Sequence, residues 1–96
     1  MASKAFDEAV AKHMETLKMY VPIVARVHGK EHPEFHDVHR LFESIGKKLA
    51  DGSRDLTEEF EALRRVTDDY TVPDGVCESY EAVYNMLADM DRAFSG

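Results

Sequence analysis

Residues 24–35 read Val-Ala-Arg-Val-His-Gly-Lys-Glu-His-Pro-Glu-Phe, and this stretch decides the fold. It holds the end of an apolar helical run, a helix stop at Gly29, a helix start at Pro33 and two of the chain's five histidines. Glycine is the usual left-handed residue just past a helix end. Proline suits the first helical position, where its missing N–H costs nothing.

Upstream of the stop, the spacing predicts a first helix from about Lys4 to Val27. Ser3 is placed to cap it, and Asp7 and Glu8 complement the dipole of its first turns. At about 100° per residue, Phe6, Val10, Met14, Leu17, Val21 and Val24 share one face. His13 and His28 project to the same side. Pro22 cannot donate to the Lys18 carbonyl, so a kink or short break near Tyr20 is expected.

Downstream, a second helix starts near His32. Its apolar face is Phe35, Val38, Leu41, Phe42, Ile45 and Leu49, with His32, His36 and His39 gathered on the opposite side and Asp51-Gly52-Ser53 closing it. A third helix is expected from about Leu56 to Asp69, on Leu56, Phe60, Leu63 and Val66. A fourth begins between Pro73 and Val76 and runs to about Phe94, on Val76, Tyr80, Val83, Tyr84, Leu87, Met90 and Phe94. Four amphipathic helices with short loops predict a single all-α domain over residues 1–96, an antiparallel up-down four-helix bundle. The first helix is longer than its neighbours, and its overhang is a candidate homodimer contact.

Composition narrows the function. The 96 residues are 44% apolar, enough for one modest core. No apolar run approaches the ~18 residues of a membrane span, and MASKAFDEAV lacks the basic region and apolar core of a secretory signal. The single cysteine, Cys77, excludes an internal disulfide and fits a reducing, cytoplasmic setting. A formal charge of −7 argues against nucleic acid and anionic membrane as partners. No phosphate loop and no paired-cysteine motif is present.

Three ordered pieces, spanning Val24 to Met90, resemble a known family. They are the opening stretch itself; His32-Pro33-Glu34-Phe35 continuing to Leu41-Phe42-Glu43; and Leu63 to Tyr70 followed by Val72-Pro73, Cys77, Tyr80 and Val83-Tyr84. Together they are similar to the hemerythrin-like domain of the repair-of-iron-centres (RIC) proteins. The resemblance implies a hemerythrin-like bundle and, in the family, a di-iron site of histidines and carboxylates linked to iron–sulfur cluster repair under nitrosative and oxidative stress. The matched positions depart from that site. The first ligand histidine falls near Phe6 or Asp7, and the second-helix histidine and glutamate fall on Gly52 and Leu56. The third-helix histidine falls near Ser53, and the last pair falls beyond Phe94. Asp7 alone retains a group able to coordinate.

Other residues offer candidate sites. His13, His28 and His32 are the candidate metal ligands, for iron or haem, since imidazole is a common ligand. His13 and His28 are some four turns apart, so each needs partners from other helices, such as Glu58, Glu59, Asp91 or Cys77. His32, His36 and His39 have a spacing that allows shared coordination on one face; outward-facing histidines of this kind also collect metal adventitiously. Cys77, in the first turn or two of the fourth helix, is either an activated thiol or a small buried residue. The sequence thus reads first as a small non-enzymatic helical protein that resembles RIC proteins without their di-iron site, a homodimeric interaction or regulatory module. It reads second as a metal- or haem-binding protein.

Overall fold

The computed structural model describes residues 4–95. Within them the chain forms four α-helices and no strand: α1 Lys4–His28, α2 Glu34–Ala50, α3 Thr57–Val66 and α4 Glu78–Ser95. The expected cap Ser3 lies outside the described residues. α1 packs against α4 and α2, and α2 packs against α3.

The predicted apolar stripes build the core. Phe6, Leu17, Val21, Val24, Phe35, Val38, Ile45, Phe60, Leu63, Tyr80, Val83, Tyr84, Leu87 and Met90 are all buried. Aromatic clusters mark its two ends. At one, Phe94 lies 5.3 Å from Phe6 and 5.1 Å from Phe60, centroid to centroid. At the other, Tyr80 lies 4.9 Å from Phe35, 5.0 Å from Tyr84 and 5.5 Å from the His28 ring. The start of α1 therefore sits beside the end of α4, and the end of α1 beside the start of α4.

Pro22 does not break α1, which is continuous from Lys4 to His28. The proline is on the exposed side, where water can satisfy the carbonyl it leaves without a partner.

Gly29 is not left-handed, contrary to the sequence expectation; the positive-φ glycines are Gly52 and Gly75. Its requirement is steric. A Cβ there would collide with the Ala25 carbonyl and with the His36 ring. Glycine lets α2 start directly against the end of α1.

α2 closes as its sequence predicts. The Ser53 N–H donates to the Lys48 carbonyl and the Gly52 N–H to the Leu49 carbonyl, with Gly52 at φ +85°. This pair of bonds is the Schellman arrangement.

α3 is shorter than expected, ending at Val66 instead of Asp69. Asp68, Asp69 and Tyr70 follow with φ of +52°, +58° and +61°. Three consecutive non-glycine residues in the left-handed region are costly, and local bonds hold them there. The Asp69 N–H donates to the Arg64 carbonyl at 2.7 Å. The buried Thr67 hydroxyl donates to the Leu63 carbonyl and accepts from the Tyr70 N–H. The turn carries the Tyr70 hydroxyl to Asp91 on α4, 2.8 Å away. Asp91 is 5% exposed and also accepts from Arg64 and Ser95. This carboxylate ties α3 and its turn to α4.

α4 begins at Glu78, later than the Pro73–Val76 expected. The Glu81 N–H donates to the Cys77 carbonyl, so Cys77 occupies the capping position. It is exposed, neither buried nor inside the helix.

Candidate functional site

The histidines chosen from the sequence fall into separate places. His13 is buried on α1, and its Nε2 lies 3.1 Å from Asp89 Oδ2 on α4. His28 is fifteen residues further along the same helix, about 22 Å at 1.5 Å per residue. One ligand cannot reach both. His28 and His32 do meet, with ring centroids 6.4 Å apart. They flank Tyr80, whose ring lies 5.4 Å from His32.

The remaining partners at this end form two pairs instead of a shared shell. His28 Nε2 is 3.1 Å from Cys77 Sγ. His32 Nδ1 is 3.2 Å from Glu34 Oε2, which also accepts a long bond from the Tyr80 hydroxyl. The Tyr80 and Tyr84 hydroxyls are 3.2 Å apart. Burial first, and then the neighbouring hydroxyl, pushes Tyr80 well above the usual tyrosine range; burial also raises Tyr84. Both rings sit here as neutral packing groups with satisfied hydroxyls.

His36 packs on Gly29, and His39 approaches Glu43 at 4.0 Å. The expected row of His32, His36 and His39 is therefore dispersed, with His32 turned inward to Tyr80 and Glu34. Among the described residues, no three His, Cys, Asp or Glu side chains are grouped to hold a metal ion.

Of the acids considered as partners for these histidines, Asp91 is held by Arg64 and Tyr70, and Glu59 is also engaged away from them. Glu59 is 7% exposed and is held by Lys48 at 2.8 Å and by the Ser44 hydroxyl. Burial works to raise its pKa, but the bonds from Lys48 and Ser44 outweigh it and hold the carboxyl below the usual range. The Arg92 guanidinium likewise lowers Asp89, with His13 assisting. Asp7 pairs with Arg54 at 3.0 Å. The Lys48–Glu59, His13–Asp89 and Asp7–Arg54 pairs join one part of the bundle to another, whereas Arg92–Asp89 lies within α4.

Cys77 and His28 resemble a nucleophile and its base only in part. Such chemistry needs the base oriented by a third group, and among the described residues His28 bonds to no carboxylate. This end of the bundle is a packed polar seam.

A different surface stands out on α1. The large apolar side chains exposed on the described residues are Met19, Ile23 and Val27, at 61%, 43% and 62%. They recur every four residues, so they form one slanted stripe. At about 100° per residue it lies roughly 130° around the helix from Leu17, Val21 and Val24, the residues that face the core. Beside it, a groove between α1 and α2 is lined by Lys18, Pro22, Phe42, Glu43, Gly46 and Lys47. The sequence reading passed over this stripe because one apolar face had already been assigned to α1. Its signal was present: a second set of apolar residues at spacing four, outside the first set.

Compared with protein-family models, with curated proteins and with solved structures, the chain shows no match. Among the described residues, no helix is long and apolar enough to cross a membrane.

Proposed function

We propose that this chain is a non-enzymatic helical interaction module that self-associates through α1, and that its architecture is an antiparallel up-down bundle of the hemerythrin-like kind without a di-iron site. The exposed stripe Met19–Ile23–Val27 carries the reading. Every other strongly apolar helical face among the described residues is turned into the core, and an unpartnered apolar stripe on an otherwise polar surface marks an interaction site.

The bundle topology draws support from the end-to-end aromatic contacts. Phe6, Phe60 and Phe94 gather at one end, while His28, Phe35 and Tyr80 gather at the other. The resemblance to RIC proteins is one of scaffold: Asp7 is tied to Arg54, Gly52 and Leu56 offer no ligand, and His13 is far from His28 and His32. The motif pieces match where chain direction and packing are set, and depart where iron would be held.

The occupant of the stripe is a second copy of the chain. Three equally spaced apolar residues complement themselves under a two-fold axis, as a symmetric dimer requires. The stripe spans about 12 Å of helix, so the interface is at the small end of the known range, where weak and transient contacts lie. Sedimentation velocity over a concentration series is expected to show a monomer–dimer equilibrium. Ile23→Asp is expected to weaken it by at least about tenfold while leaving the helix content unchanged. A wild-type chain that stays monomeric at millimolar concentration would remove the proposal.

A further inference from the structure

The connection from α3 to α4 is held in two unlike halves. The first is strained. Asp68, Asp69 and Tyr70 are all left-handed, a conformation that costs any residue with a Cβ. Such strain persists only where the surroundings hold it. The second half has little to pin its backbone. Among the described residues, no backbone N–H from Val72 to Cys77 donates to another backbone group. Val72 and Val76 instead rest half-buried against the core. A segment with so few backbone bonds opens locally, well before the helices do.

Tyr70 is where this segment is fastened. Its hydroxyl donates to Asp91 Oδ2 at 2.8 Å, and Asp91 is itself fixed by Arg64 and Ser95. Hydrogen bonds to a carboxylate are of the stronger kind. The other bonds of the strained half stay close in sequence. The Asp69 N–H reaches Arg64, the Tyr70 and Thr71 N–H groups reach Thr67, and the Thr71 hydroxyl reaches Asp68. The Tyr70 hydroxyl is thus the one group of residues 67–76, among the described residues, whose hydrogen bond crosses to a helix other than α3.

A polar cluster lies beneath. Thr67, Asp68, Thr71 and Pro73 share a cleft with Glu34 of α2 and Tyr84 of α4. Tyr84 is 1% exposed, its hydroxyl meets that of Tyr80, and Tyr80 donates to Glu34. We infer that residues 67–76 are a strap, loaded by the left-handed run and latched by Tyr70 on Asp91, whose opening uncovers the Tyr84–Tyr80–Glu34 cluster. The strap is separate from the self-association through α1.

Hydrogen exchange read residue by residue tests the latch, and hydroxyl-radical labelling of side chains tests what it covers. Tyr70→Phe removes only the latching hydroxyl. It is expected to lower the protection of the Asp69, Tyr70-position and Thr71 amides at least tenfold, the scale of one bond to a charged group, while α1 and α2 keep theirs. Labelling of the Tyr84 ring is expected to rise with it, and that of Leu17 in α1 to stay constant. Asp68→Gly keeps the latch and relieves part of the load, so it is expected to raise the same protection severalfold; this variant decides the matter if Tyr70→Phe does not fold. Unchanged protection in Tyr70→Phe would overturn the latch. A loss spread equally over all four helices would show that the segment does not open as its own unit. Tyr84 labelling that stays constant while the amides lose protection would overturn the covering role, and protection unchanged or lowered in Asp68→Gly would overturn the load.

Discussion

Gly29 and Asp68 show two opposite solutions at helix ends. Gly29 is glycine because neighbouring atoms leave no room for a Cβ, so Gly29→Ala is expected to destabilise the chain by about 1–3 kcal/mol, as overpacking does. Urea unfolding checks this, and an unchanged midpoint would contradict the packing account. Asp68 stands where a helix end ordinarily takes glycine, at φ +52°. Asp68→Gly relieves the left-handed cost of roughly 1–2 kcal/mol at the expense of roughly 0.5–1 kcal/mol of chain entropy. A gain of up to about 1.5 kcal/mol is expected from the same measurement, and a loss would show that the aspartate side chain itself stabilises the turn. The sequence marked Gly29 as a stop but supplied the wrong reason, since steric collision with His36 depends on how α2 meets α1. It gave no sign of the left-handed run at Asp68–Tyr70, which contains no glycine and is held by Thr67.

At the scale of the elements, hydrophobic period was enough to place four helices and nearly all of their buried faces. It failed at ends set by local hydrogen bonds, namely the Thr67 turn after α3 and the Cys77 cap before α4. It failed also for side chains whose partners come from distant helices. The His13–Asp89 pair and the Tyr80–Glu34 contact cross the bundle, and helical spacing within one element cannot reveal them. The tyrosines of α4 and of the α3 turn supply a test of this packing. Burial, in each case the first cause, raises Tyr70, Tyr80 and Tyr84 above their unfolded value of about 10. A folded pKa above the unfolded one contributes stability that is complete below about pH 10 and is lost as pH rises through the folded value. Tyrosinate absorbance from these three residues is therefore expected to appear together with loss of helix in an alkaline titration. Ionisation of all four tyrosines near pH 10 with the helices intact would contradict the buried placement.

At the scale of the whole molecule, the bundle has two kinds of polar feature and one unpartnered apolar feature. Asp91, Glu59, Asp89 and Asp7 bind one element to another. The His28–Cys77 and His32–Glu34 pairs close one end. None of these gathers into a metal-holding set, so incubation with ferrous iron or haem, after purification without metal affinity, is expected to leave no stoichiometric complex on His13, His28 and His32. A stoichiometric complex lost in His28→Ala would contradict the separation of those residues. The exposed stripe on α1 is the feature on which the proposed self-association rests. Sequence alone could not choose it, because Met19, Ile23 and Val27 are the same residue types as the core, and only the positions of α2 and α4 decide which apolar face is covered. The most direct measurement is sedimentation equilibrium of the wild-type chain beside Ile23→Asp across the micromolar range. Reversible dimerisation that the substitution weakens at least tenfold is the predicted result. A wild-type monomer throughout, or a dimer indifferent to Ile23→Asp, would contradict the account.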